Sequence, residues 1–357
     1  MHDASLTSDA ARLARHGGRD ALARALRDSR ADTLATFAVY ERALPGLRVP
    51  RREELNPPLW ELGHIGWFQA WWLQRNPHRA LGLRADPDVP RLTAQPADAD
   101  ALYHSSRVPH DSRWNLPLPD AASTRRQMQQ QIDTTLALLA DAAENDDALY
   151  FFRLALLHED MHHEAALYMA QALDIAIDDP RWRPARLTGP ATPLAFEATT
   201  RRLGLAAPEG FAFDNELGAH EVAVPGFAID AQVLRWADYL PFVEATGAAP
   251  PRYLRHVAGR WEQKHYGAWH ELDPSLPACH LTQHEALAGA AGPAAGCRPK
   301  RSGSAPPCRH RTASAGATSG SGPPAPSRPT LASSRIPTAT TRRRGSTAGR
   351  CCAARRS

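Results

Sequence analysis

The nine Trp, seven Tyr and nine Phe of this 357-residue chain all lie before residue 270. Residues 286–357 also lack Asp and Glu, and consist mostly of Ala, Gly, Pro, Ser, Thr and Arg. Such a stretch cannot bury enough apolar surface to offset the entropy of ordering it, so 286–357 is expected to be a disordered tail. The preceding length suffices for two domains, each with its own core. Charge divides at the same place. The tail carries 13 Lys and Arg, which leaves residues 1–285 with 29 basic against 38 acidic side chains. The formal net charge of +4 therefore misdescribes an acidic folded part, and no nucleic-acid partner is expected. No run of 18 apolar residues suggests a membrane span, and Met1–Arg30 lacks the apolar core of a signal peptide. Only Cys279 precedes the tail, which excludes a disulfide framework there and makes a cytoplasmic location the expectation.

Helical periodicity dominates the first half. Leu22, Leu26, Leu34, Phe37 and Tyr40 predict a helix over 20–43. Pro57-Pro58 opens a second, Leu59 to Arg75, rich in Trp and carrying His64. A loop rich in Pro and Asp follows to Pro119. Ser123 or Thr124 is the expected cap of a third helix reaching about Ala143, and a fourth spans Asp146 to Leu173. Four helices with long connections predict a bundle, an architecture that builds metal sites from inward side chains of facing helices. After Pro180 the stretch "FAFDNELGAHEVAVPGFAID" alternates apolar and polar residues and reads as short strands. "VLRWADYLPFVEATG" is then a helix ending at Gly247. The fold class is thus α+β, with a helical bundle over 20–178 and a mixed α/β domain over 190–285.

His158 and His162 stand four apart in "LALLHEDMHHEAALYM", on one face of a helix, where two imidazoles can share a divalent ion. His64, on another bundle helix, is the natural third ligand. Three imidazoles would leave coordination positions open. Spacing alone leaves two alternatives open, a pair of buried core histidines and a metalloprotease. The same residues spell His-Glu-x-x-His, with Glu159 as the would-be general base. A helical bundle without an upstream sheet lacks the cleft a protease needs.

The surroundings of these histidines are more specific than their spacing. "NPPLWELGHIGWFQAWWLQRNP", "LYHSSRVPHDSRWNLPLP" and "LYFFRLALLHEDMHHEAALYMAQAL" resemble the DinB-like N-terminal domain of ergothioneine-type sulfoxide synthases. "FAFDNELGAHEVAVPGFAIDAQVLRWADYLPFVEATG" resembles the start of their second domain, which is related to formylglycine-generating enzymes and has a C-type-lectin-like α/β fold. The resemblance covers about residues 20–285, and its wording is nearest the selenoneine synthase branch. It implies non-haem Fe(II) held by His64, His158 and His162. It also implies O2-dependent bond formation between a thiol or selenol and hercynine, with oxidation of the sulfur or selenium. The expected partners are thus small molecules: hercynine, O2 and a donor that is a free thiol, a γ-glutamyl thiol or a selenosugar. Arg107 and Arg113 fall in the loop where the family contacts its acidic or sugar-bearing co-substrate, and an Arg fork suits carboxylate or phosphate. Met161 stands where some members place a Gln near hercynine. A DinB-type metal-dependent thiol transferase and a metal-binding pseudoenzyme are the competing readings.

Where the family continues with Trp-Cys-Arg-Trp-Ala-Gly-Arg-Arg-Leu-Pro-Thr-Glu-Ala-Glu-Trp, this chain reads "GAAGPAAGCRPKRSG" from Gly289. Loss of one base from the first Trp codon, in GC-rich codons, converts the first into the second. The expectation is a reading frame lost near Ala288, a second domain cut short, and the family's catalytic tyrosine in the lost part, so that no catalytic residue is assigned and the chain's own activity is in question.

Overall fold

The computed structural model describes residues 4–189, 191–206 and 210–291. Its first half is helical. Helix α1 (Ala4–His16) precedes α2 (Arg19–Ala43), α3 (Pro58–Gln69), the short α4 (Ala99–Tyr103), α5 (Ala121–Ala140) and α6 (Asp146–Leu173). Helices α2, α3, α5 and α6 form the bundle, with α2 lying along α6 and α3 between α5 and α6. Asn145 caps α6 by accepting a hydrogen bond from the Ala148 amide at 3.0 Å, and Asp174, with φ of 59°, ends it.

Three departures from the sequence expectations have local causes. Asp120, rather than Ser123 or Thr124, caps α5, its carboxylate accepting from the Ser123 amide at 2.7 Å. Helix α3 continues through a π-helical turn, Ala70–Gln74, closed by the Arg75 amide on the Ala70 carbonyl at 2.9 Å. This extra residue in the turn rotates Trp71 and Trp72 relative to the helix before it. Helix α1, which sequence reading did not assign, packs on α2 and α6 and buries Ala14.

Two apolar clusters fill the bundle. One joins Leu22 and Leu26 of α2 to Trp60, Phe68, Trp72 and Phe151; the other gathers Phe37, Tyr40, Leu62, Met128 and Met169. Helix α3 is buried on every side, Leu59 being the one residue among its twelve that is not. A helix so enclosed must supply a partner for each polar group it carries.

The second region is α/β with small antiparallel sheets. Strands β1 (Pro193–Phe196) and β4 (Phe227–Asp230) pair, β2 (Thr199–Leu203) pairs with β3 (His220–Val224), and β5 (Leu254–Val257), β6 (Arg260–His265) and β7 (Ala268–Glu271) form a meander. Helix α7 (Trp236–Thr246) ends at Gly247, as its sequence predicts, with φ of 64°. It gathers a small core of Trp236, Tyr239, Leu240, Leu254 and Leu272. The last described helix, α8 (Gln283–Ala291), covers the first residues of the expected tail, and Ala286 packs against that core. The rest of that tail, and all but the first three residues of the stretch from Gly289 expected to be frame-shifted, lie outside the described residues.

Two seams tie this region to the bundle. Phe211 enters the first bundle cluster, Tyr150 donates to the Ala212 carbonyl at 2.9 Å, and Arg15 pairs with Glu216 at 2.8 Å. At the other end of α6, the Gln171 side chain bonds the Lys264 carbonyl at 3.0 Å and the Tyr266 amide at 2.6 Å. No helix among the described residues is long and apolar enough to cross a membrane.

Candidate metal centre

His64 of α3 and His158 and His162 of α6 converge in the middle of the bundle. One ring nitrogen from each lies within 4.8 Å of the others. Their ring centroids stand 4.4 to 5.2 Å apart. His64 and His158 are buried and His162 half-buried, so the site opens on the His162 side.

Hydrogen bonds behind His64 and His162 fix which nitrogen of those two rings is free. His64 Nδ1 donates to the Tyr103 carbonyl at 2.9 Å, leaving the Nε2 lone pair for the cluster. That carbonyl ends α4, and a Cβ on Gly63 would collide with the Tyr103 ring, so glycine permits the approach. Trp60, one turn back on α3, stacks on the His64 ring at 4.7 Å and 9°. His162 Nδ1 bonds Glu61 Oε2, and the other Glu61 oxygen accepts from Asn56 Nδ2. His158 lies flat on Phe68 at 3.4 Å, and its Nε2 is a buried nitrogen without a hydrogen-bond partner. A buried ring nitrogen with no partner costs free energy unless something binds it, and an ion among three imidazoles supplies that partner.

Protonation agrees with this donor set. Burial, followed by the nearby His162, lowers His64 to about 3. Burial also takes His158 well below the usual imidazole value, with His162 and His64 adding to the effect. Both rings are therefore neutral ligands near pH 7. Burial alone would raise Glu61, but the electrostatic influence and hydrogen bond of His162, then Asn56, outweigh it and leave the carboxyl at about 2. An anionic carboxylate on the far nitrogen of a ligating imidazole orients the ring and makes it a better donor.

Glu159 is not a base at this centre. Its carboxylate is enclosed by the Arg30 guanidinium at 2.7 and 3.0 Å, and Arg30 also bonds the Gln69 side chain and the Met128 carbonyl. The His-Glu-x-x-His match therefore lacks the water-facing glutamate of a metalloprotease. His163 turns away and bonds the Thr36 hydroxyl at 2.8 Å.

The other expected site residues are dispersed. Met161 is 47% exposed on α6, beside His162. Arg107 is exposed at the rim of a cavity of about 520 Å³ walled by Trp67, Phe68, Trp71 and Trp72. Arg113 is 2% exposed, its guanidinium 3.9 Å from the Trp60 ring centre and 2.8 Å from Asn56 Oδ1. It is turned into the protein rather than toward a solvent-open pocket. Glu61, Asn56 and Tyr103 escaped sequence reading. The available signal was Glu61 itself, a carboxylate three residues from His64 in an otherwise enclosed apolar helix.

Fold and site together define a helical-bundle protein with three histidines placed so that they could hold one metal ion, followed by an α/β region. The chain is similar to hercynine oxygenase of Mycolicibacterium smegmatis, with 29% identity over 260 residues, 66% of this chain and 58% of that protein. Hercynine oxygenase of Mycolicibacterium thermoresistibile is 29% identical over 296 residues, covering 76% of this chain and 63% of its own. That of Mycobacterium tuberculosis is 28% identical over 207 residues, covering 56% and 45%. The chain thus spans about half to three-fifths of the length of these curated relatives. No family model matches it.

Proposed function

We propose that the chain belongs to the hercynine oxygenase family and derives from a non-haem Fe(II) enzyme that forms a C–S or C–Se bond on hercynine with O2. The observation that carries this reading is the cluster of three imidazoles, two of them neutral through burial, on a chain similar to hercynine oxygenases. His64, His158 and His162 would hold the iron. Imidazole donors suit Fe(II), and three of them leave room for substrates beside the metal. Bound there, Fe(II) would supply O2 activation and redox chemistry.

The chain's own residues would do the rest. Phe68 and Trp60 shield two ligand rings from water on the bundle side. Glu61 supplies a buried negative charge that offsets part of the cation's charge. Met161, exposed next to His162 in α6, is the candidate contact on this side, and its thioether would lie against the hercynine imidazole. Arg107, over the aromatic cavity, is the candidate for the acidic or sugar-bearing donor. The second region would be the beginning of a formylglycine-generating-enzyme-like domain over 190–285, following a DinB-like bundle over 20–178.

Anaerobic loading with Fe(II), then O2 admission with hercynine and a thiol or selenol donor, tests the reading. In a chain whose reading frame is restored at codon 289, the expected result is O2 uptake that requires hercynine and falls away in His158→Ala. Thiol transfer supported by Zn(II), with no O2 uptake, would replace this reading by that of a DinB-type transferase. Iron binding with neither reaction would leave a metal-binding pseudoenzyme.

A further inference from the structure

Arg113 links the supports of two separate ligands. Its Nη1 donates to Asn56 Oδ1 at 2.8 Å, and Asn56 passes the contact through Glu61 to His162. The face of the same guanidinium lies 3.9 Å from the centre of the Trp60 ring, whose stack with His64 is nearly parallel. Its Nη2 reaches the Ser105 and Val108 carbonyls at 3.3 Å. Those bonds fold the segment following α4 around the guanidinium, which itself meets α3 at Trp60. The Trp60 indole adds a bond to the Leu102 carbonyl at 2.8 Å, next to the Tyr103 carbonyl that takes His64. The planar fork of arginine can bond at its edge and stack on its face at once, which a lysine ammonium cannot do.

We propose that Arg113 is a positioning residue of the metal centre, fixing the His162 ring through Asn56 and Glu61 and the His64 ring through Trp60. This rests on the three-histidine reading above, and it assigns Arg113 to the metal rather than to a substrate carboxylate. Loss of groups behind metal ligands typically weakens metal binding by about 10- to 100-fold. Arg113→Lys keeps the charge and removes both the fork and the stack. Asn56→Ala cuts only the arm to His162.

The probe is Co(II), titrated by competition into the metal-free chain and followed by its ligand-field absorption, which reports ligand geometry independently of turnover. Arg113→Lys is expected to weaken Co(II) binding by about 10- to 100-fold and to alter the absorption bands. Asn56→Ala is expected to weaken it less, and the double variant to lose less than the product of the two single losses. Wild-type affinity and spectrum in both single variants, or losses that multiply fully, would overturn the assignment. Should Arg113→Lys not fold, unchanged Co(II) binding and spectrum in Asn56→Ala would suffice to do so. A wild-type chain that takes up no Co(II) would instead overturn the metal reading itself, and this assignment with it.

Discussion

The Glu159 carboxylate is 1% exposed, and both its oxygens are held by Arg30, itself 3% exposed. Removing one member of such a pair strands a buried charge, which costs about 3–5 kcal/mol. Glu159→Ala is therefore expected to lower the denaturant midpoint severely, whether or not metal is present. A variant of near-wild-type stability would show that the pair contributes little. The ion pair also explains why a short motif misleads. His-Glu-x-x-His is legible in the sequence, whereas the arginine that disarms it stands 129 residues away and gives no local signal. His64, His158 and His162 were legible because two share a helical face and the third sits in an aromatic helix. Glu61 was not, because nothing in the spacing of His162 points 101 residues back along the chain.

At the scale of elements, α3 and α6 carry the site for different reasons. Helix α6 was readable to its ends, because Asn145 caps it and its apolar period runs unbroken to Leu173. Helix α3 was readable as a helix, but not in its π-helical turn, whose Trp71 and Trp72 line a cavity with residues of later loops. Its glycines depend equally on distant partners. Gly63 faces the Tyr103 ring and Gly66 faces Gln131. Gly63→Ala is expected to push α4 away and to cost about 1–3 kcal/mol, the usual range for overpacking. Because Tyr103 supplies the carbonyl that orients His64, Co(II) affinity should fall along with the melting temperature. A stable Gly63→Ala chain with wild-type Co(II) affinity would contradict this coupling.

Across the whole molecule, the bundle and the α/β region meet at seams that contain carboxylates. Glu216 is held below the usual carboxylate range by the Arg15 hydrogen bonds, and Asp146 by Arg153 and then the Gly210 amide. Both groups are more acidic folded than unfolded. Their contribution is thus complete above the ordinary carboxylate value of about 4 and is lost as pH falls through and below it. Thermal unfolding followed from pH 7 downward should show stability falling in that range, with a shallower fall in an Asp146→Asn, Glu216→Gln chain. Equal slopes would remove these carboxylates from the explanation. This docking was the least legible feature in the sequence. Phe211 reads as a strand residue, yet it enters the bundle's core, where Tyr150 and Phe213 flank its ring. By contrast, Phe196 and Phe227 stack on each other at 5.0 Å across β1 and β4 and remain half-exposed.

The claim on which the rest depends is that His64, His158 and His162 bind one ion together. Anaerobic Fe(II) titration, with bound metal measured after desalting, tests it in the wild-type chain and in the three single His→Ala variants. The account predicts one equivalent in the wild type and loss of tight binding in every variant. A full equivalent retained by any one of the three variants would contradict it.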